Sequence, residues 1–154
     1  MRSLWKLAPA LLCSVALLAA DADSQANLKD MAQKLITESR TTREMAMQIA
    51  EQLRKTADTG AVRDQIPVIE QHAASIRQLI SDLESQGTAL TARQRQQLET
   101  ARKVAAILNV FIDNKKQMLS DLTSPRGRDQ VRYQALGVAQ RAEMIEKTIS
   151  KLGL

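Results

Sequence analysis

The chain carries one uninterrupted polar segment whose residue types could bind an ion. Residues 37–44 read Thr-Glu-Ser-Arg-Thr-Thr-Arg-Glu, and apolar residues at helical spacing flank them on both sides. Extending that spacing predicts that Glu38 and Thr42 face a core, where a carboxylate needs a cation or a proton. The candidate polar layer or anion site is therefore Glu38, Arg40, Thr42 and Arg43. The alternative is a helix that bends or frays here, which would leave the segment in solvent.

His72 is the only histidine, and it offers little for metal or haem chemistry. A zinc site needs three or four ligands, and the single cysteine, Cys13, lies near the N-terminus. A di-iron bundle site needs two Glu-x-x-His sequences, and the chain has none. Glu143 and Glu146 are three residues apart, but an isolated pair of carboxylates is usually solvated. We therefore expect no metal and no cofactor.

Catalytic patterns are equally scarce. The sequence has no Gly-x-Ser-x-Gly turn for a nucleophile and no glycine-rich loop for phosphate. A serine triad would have to use His72 without the loops that usually assemble such a site. We expect that the protein is not an enzyme.

Basic residues gather near the predicted first and third helix connections, which an antiparallel arrangement places at one end. This candidate basic end consists of Arg54, Lys55, Arg63, Lys115, Lys116, Arg126, Arg128 and Arg132. Five aspartates lie beside it in sequence, which leaves an excess of three positive charges. Such an end favours anionic lipid headgroups or an acidic protein, and the alternative is a solvated tip that only aids solubility. The few aromatic residues provide no stacking platform for nucleic acid.

The first 22 residues are typical of a secretory signal peptide. Arg2 and Lys6 precede an apolar run, and the small residues Ala20 and Ala22 predict cleavage after Ala22. Cleavage after Ala20 is one alternative. Retention as a membrane anchor is another, although the run is shorter than the ~20 apolar residues of a comfortable span. Cleavage after Ala22 would leave 20 basic and 16 acidic residues, a net charge of +4. The expected location is periplasmic or secreted.

The composition favours a helical globular domain. Apolar residues make up 44% and charged residues 25% of the 154 residues, which is typical of a folded domain. Aromatic residues make up only 2%, which argues against an all-β fold because strands favour them.

Three glycines divide residues 23–154 into four amphipathic segments. Gly60, Gly87 and Gly127 are expected just past helix ends, in the left-handed conformation that glycine adopts without strain. The predicted helices cover approximately residues 25–58, 64–86, 92–121 and 125–152.

Apolar residues recur at alternating spacings of four and three along these segments, which indicates helices packed at shallow angles. The second segment carries Val62, Ile66, Ile69, Ala73, Ile76, Ile80 and Leu83. The fourth carries Val131, Ala135, Val138, Ala142, Ile145, Ile149 and Leu152. The third has a wider stripe, made of Leu98, Ala101, Ala105, Leu108, Ile112 and Leu119 with Val104, Ile107, Phe111 and Met118 beside them. Short connections favour antiparallel neighbours, so the expected fold is all-α: an antiparallel up-down-up-down four-helix bundle after an N-terminal signal peptide.

Helix start signals agree with these segments. Thr91 and Gln94 have the spacing of a capping box, in which each side chain hydrogen-bonds the other residue's amide. Ser124 precedes a proline, an arrangement typical of a helix start, and Asp129 is the alternative cap.

Residues 90–97 begin Leu-Thr-Ala-Arg-Gln, which resembles the Leu-Thr-x-x-Gln signature of the Spy and CpxP family. Those are exported, cysteine-poor helical proteins of the bacterial envelope stress response. Spy-like members are ATP-independent chaperones that hold clients on a cradle-shaped dimer. The family usually carries a second copy, for which the best candidate is residues 122–126, where Arg126 replaces the glutamine. The resemblance implies a periplasmic chaperone.

These observations favour an exported, non-enzymatic helical-bundle protein that binds a protein or an anionic surface in the cell envelope. The alternatives are a Spy/CpxP-like ATP-independent periplasmic chaperone and a small-anion-sensing bundle that uses the polar segment. The expected partners are an envelope protein or an anionic surface, and no nucleic acid. A homodimer is left open, and membrane contact would be only peripheral if the signal is cleaved.

Overall fold

The computed structural model describes residues 9–56 and 58–154, with side chains for 24–56, 58–109 and 112–154. The helices are α1 Pro9–Lys55, α2 Gly60–Ser85, α3 Ala92–Asp113, α4 Lys115–Asp121 and α5 Pro125–Ile149. No strand occurs in the described residues, which confirms the all-α prediction. Residues 1–8 of the predicted signal peptide, and the side chains of its other residues, lie outside the described part. Within that part, no helix has a stretch long and apolar enough to cross a membrane.

Several helix bounds differ from the sequence prediction. α1 begins upstream of its predicted start and runs through the end of the predicted signal segment. α2 begins at Gly60, so Pro67 lies inside it, and the Arg63 carbonyl loses its usual donor because proline has no amide hydrogen. The predicted helix over 92–121 divides into α3 and α4 at Asn114, whose amide donates to the Ile112 carbonyl.

The dividing glycines do not cap helices as predicted. None of Gly60, Gly87 and Gly127 has a positive φ; in the described chain that conformation belongs to Gly153, at 65°. Gly60 starts α2, and Gly127 lies in the first turn of α5. Gly127 is required for its small size, because a Cβ there would overlap the main-chain carbonyl of Asp121. The left-handed caps predicted at these glycines are therefore wrong.

The predicted helix starts at residues 91 and 124 are confirmed. The Gln94 amide donates to Thr91 Oγ1 at 3.2 Å, and the Thr91 amide donates to Gln94 Oε1 at 2.8 Å. Gln94 Nε2 also donates to the carbonyl of Leu152 at 2.9 Å, which ties the start of α3 to the turn after α5. Ser124 Oγ accepts from the Gly127 amide at 3.1 Å, so Ser124 rather than Asp129 caps α5.

The core lies where the predicted stripes meet. All seven apolar residues predicted along α2 are buried, as are all seven predicted in the fourth segment. The stripe of α3 is buried from Leu98 to Ile112, but Ile107 is 48% exposed and Leu119 is half-buried. The side chain of Phe111 lies outside the described residues. α1 packs against α2 and α5, α3 packs against the same two helices, and α4 contacts α5 and α2.

Candidate functional site

The polar segment of α1 faces the core through two hydroxyl residues. Ser39 and Thr42 are fully buried, on the same helix face as Leu35 and Ile49. Thr42 Oγ1 donates to the Glu38 carbonyl at 2.8 Å, whereas Ser39 Oγ has no hydrogen-bond partner in the described chain. Thr42 therefore lies where the spacing predicted it, and Ser39 takes the core position predicted for Glu38.

Glu38 lies at the boundary between α1 and α2, with its side chain 29% exposed. Its Oε2 is 2.6 Å from Nδ1 of His72. Because this carboxylate is partly exposed, it keeps part of its hydration. It therefore does not depend on a buried cation to offset the cost of its charge. The spacing predicted that Glu38 faces the core; it borders the core instead and contacts His72 of α2.

Arg40 and Arg43 turn to the other side of α1, towards α5. Arg40 Nε and Nη2 both lie within 3.0 Å of Glu146 Oε1, and Arg43 Nη1 lies 2.9 Å from Glu146 Oε2. The Glu146 side chain is 13% exposed, so this carboxylate is well shielded from water. Two guanidinium groups therefore share one carboxylate across the α1–α5 boundary.

The candidate anion site is consequently split by α1 into two clusters. Glu38 and Thr42 belong with His72 of α2, while Arg40 and Arg43 belong with Glu146 of α5. Both arginines already hold a carboxylate, so they leave no pair of uncompensated cations to receive another anion. The sequence could not have indicated this, because Arg40 and Glu146 are 106 residues apart.

At the candidate basic end, acidic residues pair with four of the eight cations. Arg54 and Lys55 both contact Glu51, at 2.7 and 2.9 Å. Their hydrogen bonds and positive charges lower the pKa of Glu51 from 4.5 to about 2. Lys115 Nζ lies 2.6 Å from Glu70 of α2. Glu51 and Glu70 were absent from the sequence-based estimate, and their charges reduce the excess at this end from three to one.

Four cations of the basic end have no ion pair within the described residues: Arg63, Lys116, Arg126 and Arg128. A cavity of about 320 Å³ brings Arg128 together with Arg54 and Lys55. Arg132 instead lies 3.6 Å from Asp129, and its guanidinium carbon is 5.1 Å from the centre of the Tyr133 ring. The structure thus gathers part of the predicted basic end around α1 and α5, with a small net charge.

A strip of exposed apolar side chains runs along the outside of α5 and onto α1. This α1–α5 strip consists of Met47, Tyr133, Leu136 and Met144, which are between 36% and 64% exposed. The three α5 residues recur on one helix face, opposite the buried stripe. Met47 and Leu136 line a cavity of about 360 Å³. Sequence reasoning missed the strip, although its α5 residues are apolar positions left outside the predicted seam.

Charged residues frame this cavity on both sides. Arg43 and Glu143 line it together with Met47 and Leu136. Glu143 is paired with Lys147 at 2.6 Å, and that hydrogen bond and charge lower the Glu143 pKa. A partner would therefore meet an apolar centre with opposite charges at its rim, a common arrangement of protein-binding surfaces.

Comparison of the chain with protein-family models, curated proteins and solved structures finds no match. Among the residues that the structure describes, no three histidine, cysteine, aspartate or glutamate side chains lie together in a way that could hold a metal ion. Function is therefore inferred from the surfaces described above.

Proposed function

We propose that this is an exported, non-enzymatic protein that binds another protein of the cell envelope through the α1–α5 strip. The observation that carries the proposal is the strip itself: four large apolar side chains are left exposed, and two of them, Met47 and Leu136, line a cavity with Arg43 and Glu143. Methionine and tyrosine suit such a surface, because methionine adapts its shape and tyrosine contributes apolar area and a polar tip. An envelope protein is preferred to an anionic membrane because the basic end has nearly balanced charges.

The proposed architecture is an antiparallel up-down-up-down four-helix bundle in which α3 and α4 together form the third arm. It is supported by the packing of α1 and α3 each against both α2 and α5. Two cavities also support it, since one is lined by Lys29 of α1 and Ile149 at the end of α5, and the other by Lys55 at the end of α1 and Pro125 at the start of α5. In this architecture the strip lies on the outer face, where binding needs no opening of the core.

Export is proposed from the signal pattern of residues 1–22. The expected product is a periplasmic or secreted chain that begins at Asp23. Intact-mass measurement on protein purified from its native envelope tests this expectation. A mass that includes residues 1–22 would contradict cleavage.

The binding proposal is tested by placing a photo-crosslinking amino acid at Leu136 in cells. We expect one discrete protein adduct, which should disappear when Met47→Glu places a charge beside the same cavity. Ile107 is the matched control position, because it is similarly exposed but lies on α3. Crosslinking equally at Leu136 and Ile107, or no protein adduct at Leu136, would contradict the proposal.

The same experiment separates the Spy/CpxP-like alternative. A chaperone would give many adducts, and it would suppress aggregation of an unfolded client at roughly equimolar ratio without nucleotide. Suppression only at low salt would instead indicate charge-driven binding, because salt screens such contacts.

A further inference from the structure

A groove between α2 and α3 has the layout of a small-ligand site. It encloses about 460 Å³, within the range of about 300–1,000 Å³ that small-molecule sites occupy. Apolar residues Ile80, Ala105 and Ala106 line it. The two alanines leave the space open, because their side chains are too small to reach the facing helix.

The two ends of the groove differ in charge. At one end Arg102 Nε lies 3.5 Å from Glu84 Oε1, so these two charges compensate each other. That contact places the first half of α3 beside the C-terminal end of α2. Arg77, earlier in α2, and Asn109, later in α3, line the other end. In the described chain Arg77 makes no ion pair or hydrogen bond, so its guanidinium is available.

Asn109 supplies a second polar side chain to the groove. Only 7% of the residue is exposed, and its carboxamide makes no hydrogen bond to any described residue, but its polar atoms are not among the fully buried ones that lack a partner. The side chain lines the groove, so a bound polar group there could complete its hydrogen bonding.

We propose that the α2–α3 groove binds a small aliphatic carboxylate. The carboxylate would accept hydrogen bonds from Arg77, whose fork of donors matches two oxygens, and from the Asn109 amide. The alkyl chain would lie on Ile80 and the alanines and end near the Arg102–Glu84 pair. Arg77 and Glu84 are separated by about 10 Å along the helix axis, which suits a medium-length acyl chain. This site is separate from the α1–α5 strip, so failure of one proposal leaves the other standing.

The test is calorimetric titration of the purified protein with octanoate, below the concentration at which it forms micelles. We expect saturable binding at one site, weakened about tenfold or more by Arg77→Gln, since a charge-assisted hydrogen bond is lost. Arg63→Gln is the matched control: an exposed arginine of the same helix without an ion pair, outside the groove. It should leave the dissociation constant unchanged.

Two further measurements distinguish the contribution of the carboxylate to binding from that of the alkyl chain. Octanol should bind more weakly than octanoate and should not respond to Arg77→Gln. Ala106→Leu should block octanoate by filling the groove, whereas Ala74→Leu, at an exposed alanine of α2, should not. Circular dichroism of each variant establishes that it is folded. The proposal is overturned if the wild-type protein shows no saturable binding, if Arg63→Gln weakens binding as much as Arg77→Gln, or if octanol binds as tightly as octanoate.

Discussion

Glu38 and His72 join α1 to α2 through a 2.6 Å contact between Oε2 and Nδ1. The contact lies one turn from the buried Thr42, so it closes the polar segment of α1 on the side facing α2. Arg40, Arg43 and Glu146 close the opposite side. The polar segment is therefore held by long-range contacts to both neighbours of α1.

The Glu38–His72 contact should contribute to the free energy of unfolding through an interaction between the two side chains, in addition to what each contributes separately. A double-mutant cycle of Glu38→Gln and His72→Gln is expected to give a coupling free energy of about 1 kcal/mol, because the contact is partly shielded from water. Urea unfolding followed by far-ultraviolet circular dichroism measures it. The exposed i,i+4 pair of Asp30 and Lys34 is the control, with a coupling of at most about 0.5 kcal/mol. Equal coupling in the two cycles would contradict the assignment.

Glu146→Gln should remove the carboxylate that Arg40 and Arg43 share, which leaves Arg43 with only Glu44, 4.0 Å away. We expect a loss of about 1–3 kcal/mol in the free energy of unfolding, since a charged hydrogen-bond acceptor is removed from a shielded position. Sulfate should then raise the melting temperature of the variant more than that of the wild-type protein, because the released guanidinium groups can bind it. Glu99→Gln, at an exposed carboxylate of α3 that is paired with Lys103 in the same i,i+4 way, is the control and should show neither effect. If sulfate raised the melting temperature of the wild-type protein as much as that of Glu146→Gln, Glu146 would not be what keeps sulfate from the two guanidinium groups.

The carboxyl group of Glu51 should titrate far below its ordinary range. Arg54 and Lys55 lower its pKa from 4.5 to about 2, so the interaction is complete above pH 4.5 and is lost as the pH falls from there through 2. Its effect on unfolding should be small because the Glu51 side chain is 46% exposed and solvent screens its ion pairs. Carbon-detected NMR of the carboxyl signal should give a midpoint near 2, and Arg54→Gln with Lys55→Gln should move it towards 4.5. A wild-type midpoint near 4.5 would show that the ion pairs do not persist in solution.

Gly127→Ala should destabilise the connection between α4 and α5. The added methyl group would overlap the Asp121 carbonyl, and forcing the backbones apart is expected to cost about 1–3 kcal/mol. Gly60→Ala is the control, because Gly60 also lies in a first helical turn and its new Cβ would meet only a flexible aspartate side chain at 3.3 Å. Thermal unfolding compares the two variants. Similar melting temperatures would mean that the backbones of Gly127 and Asp121 are not as close in solution as in the structure.

The parts of the fold that depend on local pattern could be predicted from the sequence. The α2 stripe follows from spacing alone, and the Thr91–Gln94 capping box from two side chains three residues apart. It was harder to predict which residue of the polar segment faces the core beside Thr42, because residues 38 and 39 lie at similar angles from it around the helix. Burial favours the small Ser39 over the charged Glu38, and that choice depends on the neighbouring helices.

The contacts of the candidate site could not be predicted in the same way. Glu146 contacts Arg40 and Arg43 across more than a hundred residues, and no local pattern indicates this. The division of the third segment at Asn114 also lacks a proline or glycine to mark it. The prediction at Gly127 identified the right residue for the wrong reason, because its small size rather than its φ is what the turn requires.

The Gln94 side chain has a consequence for how the chain loses structure. Isolated helices fray independently at each end. Here one carboxamide accepts from the Thr91 amide and donates to the Leu152 carbonyl, so the first turn of α3 and the last residues of the chain are secured by the same group. Opening of either end removes a hydrogen bond from the other, and the two ends, 58 residues apart in sequence, should unravel as a single cooperative unit.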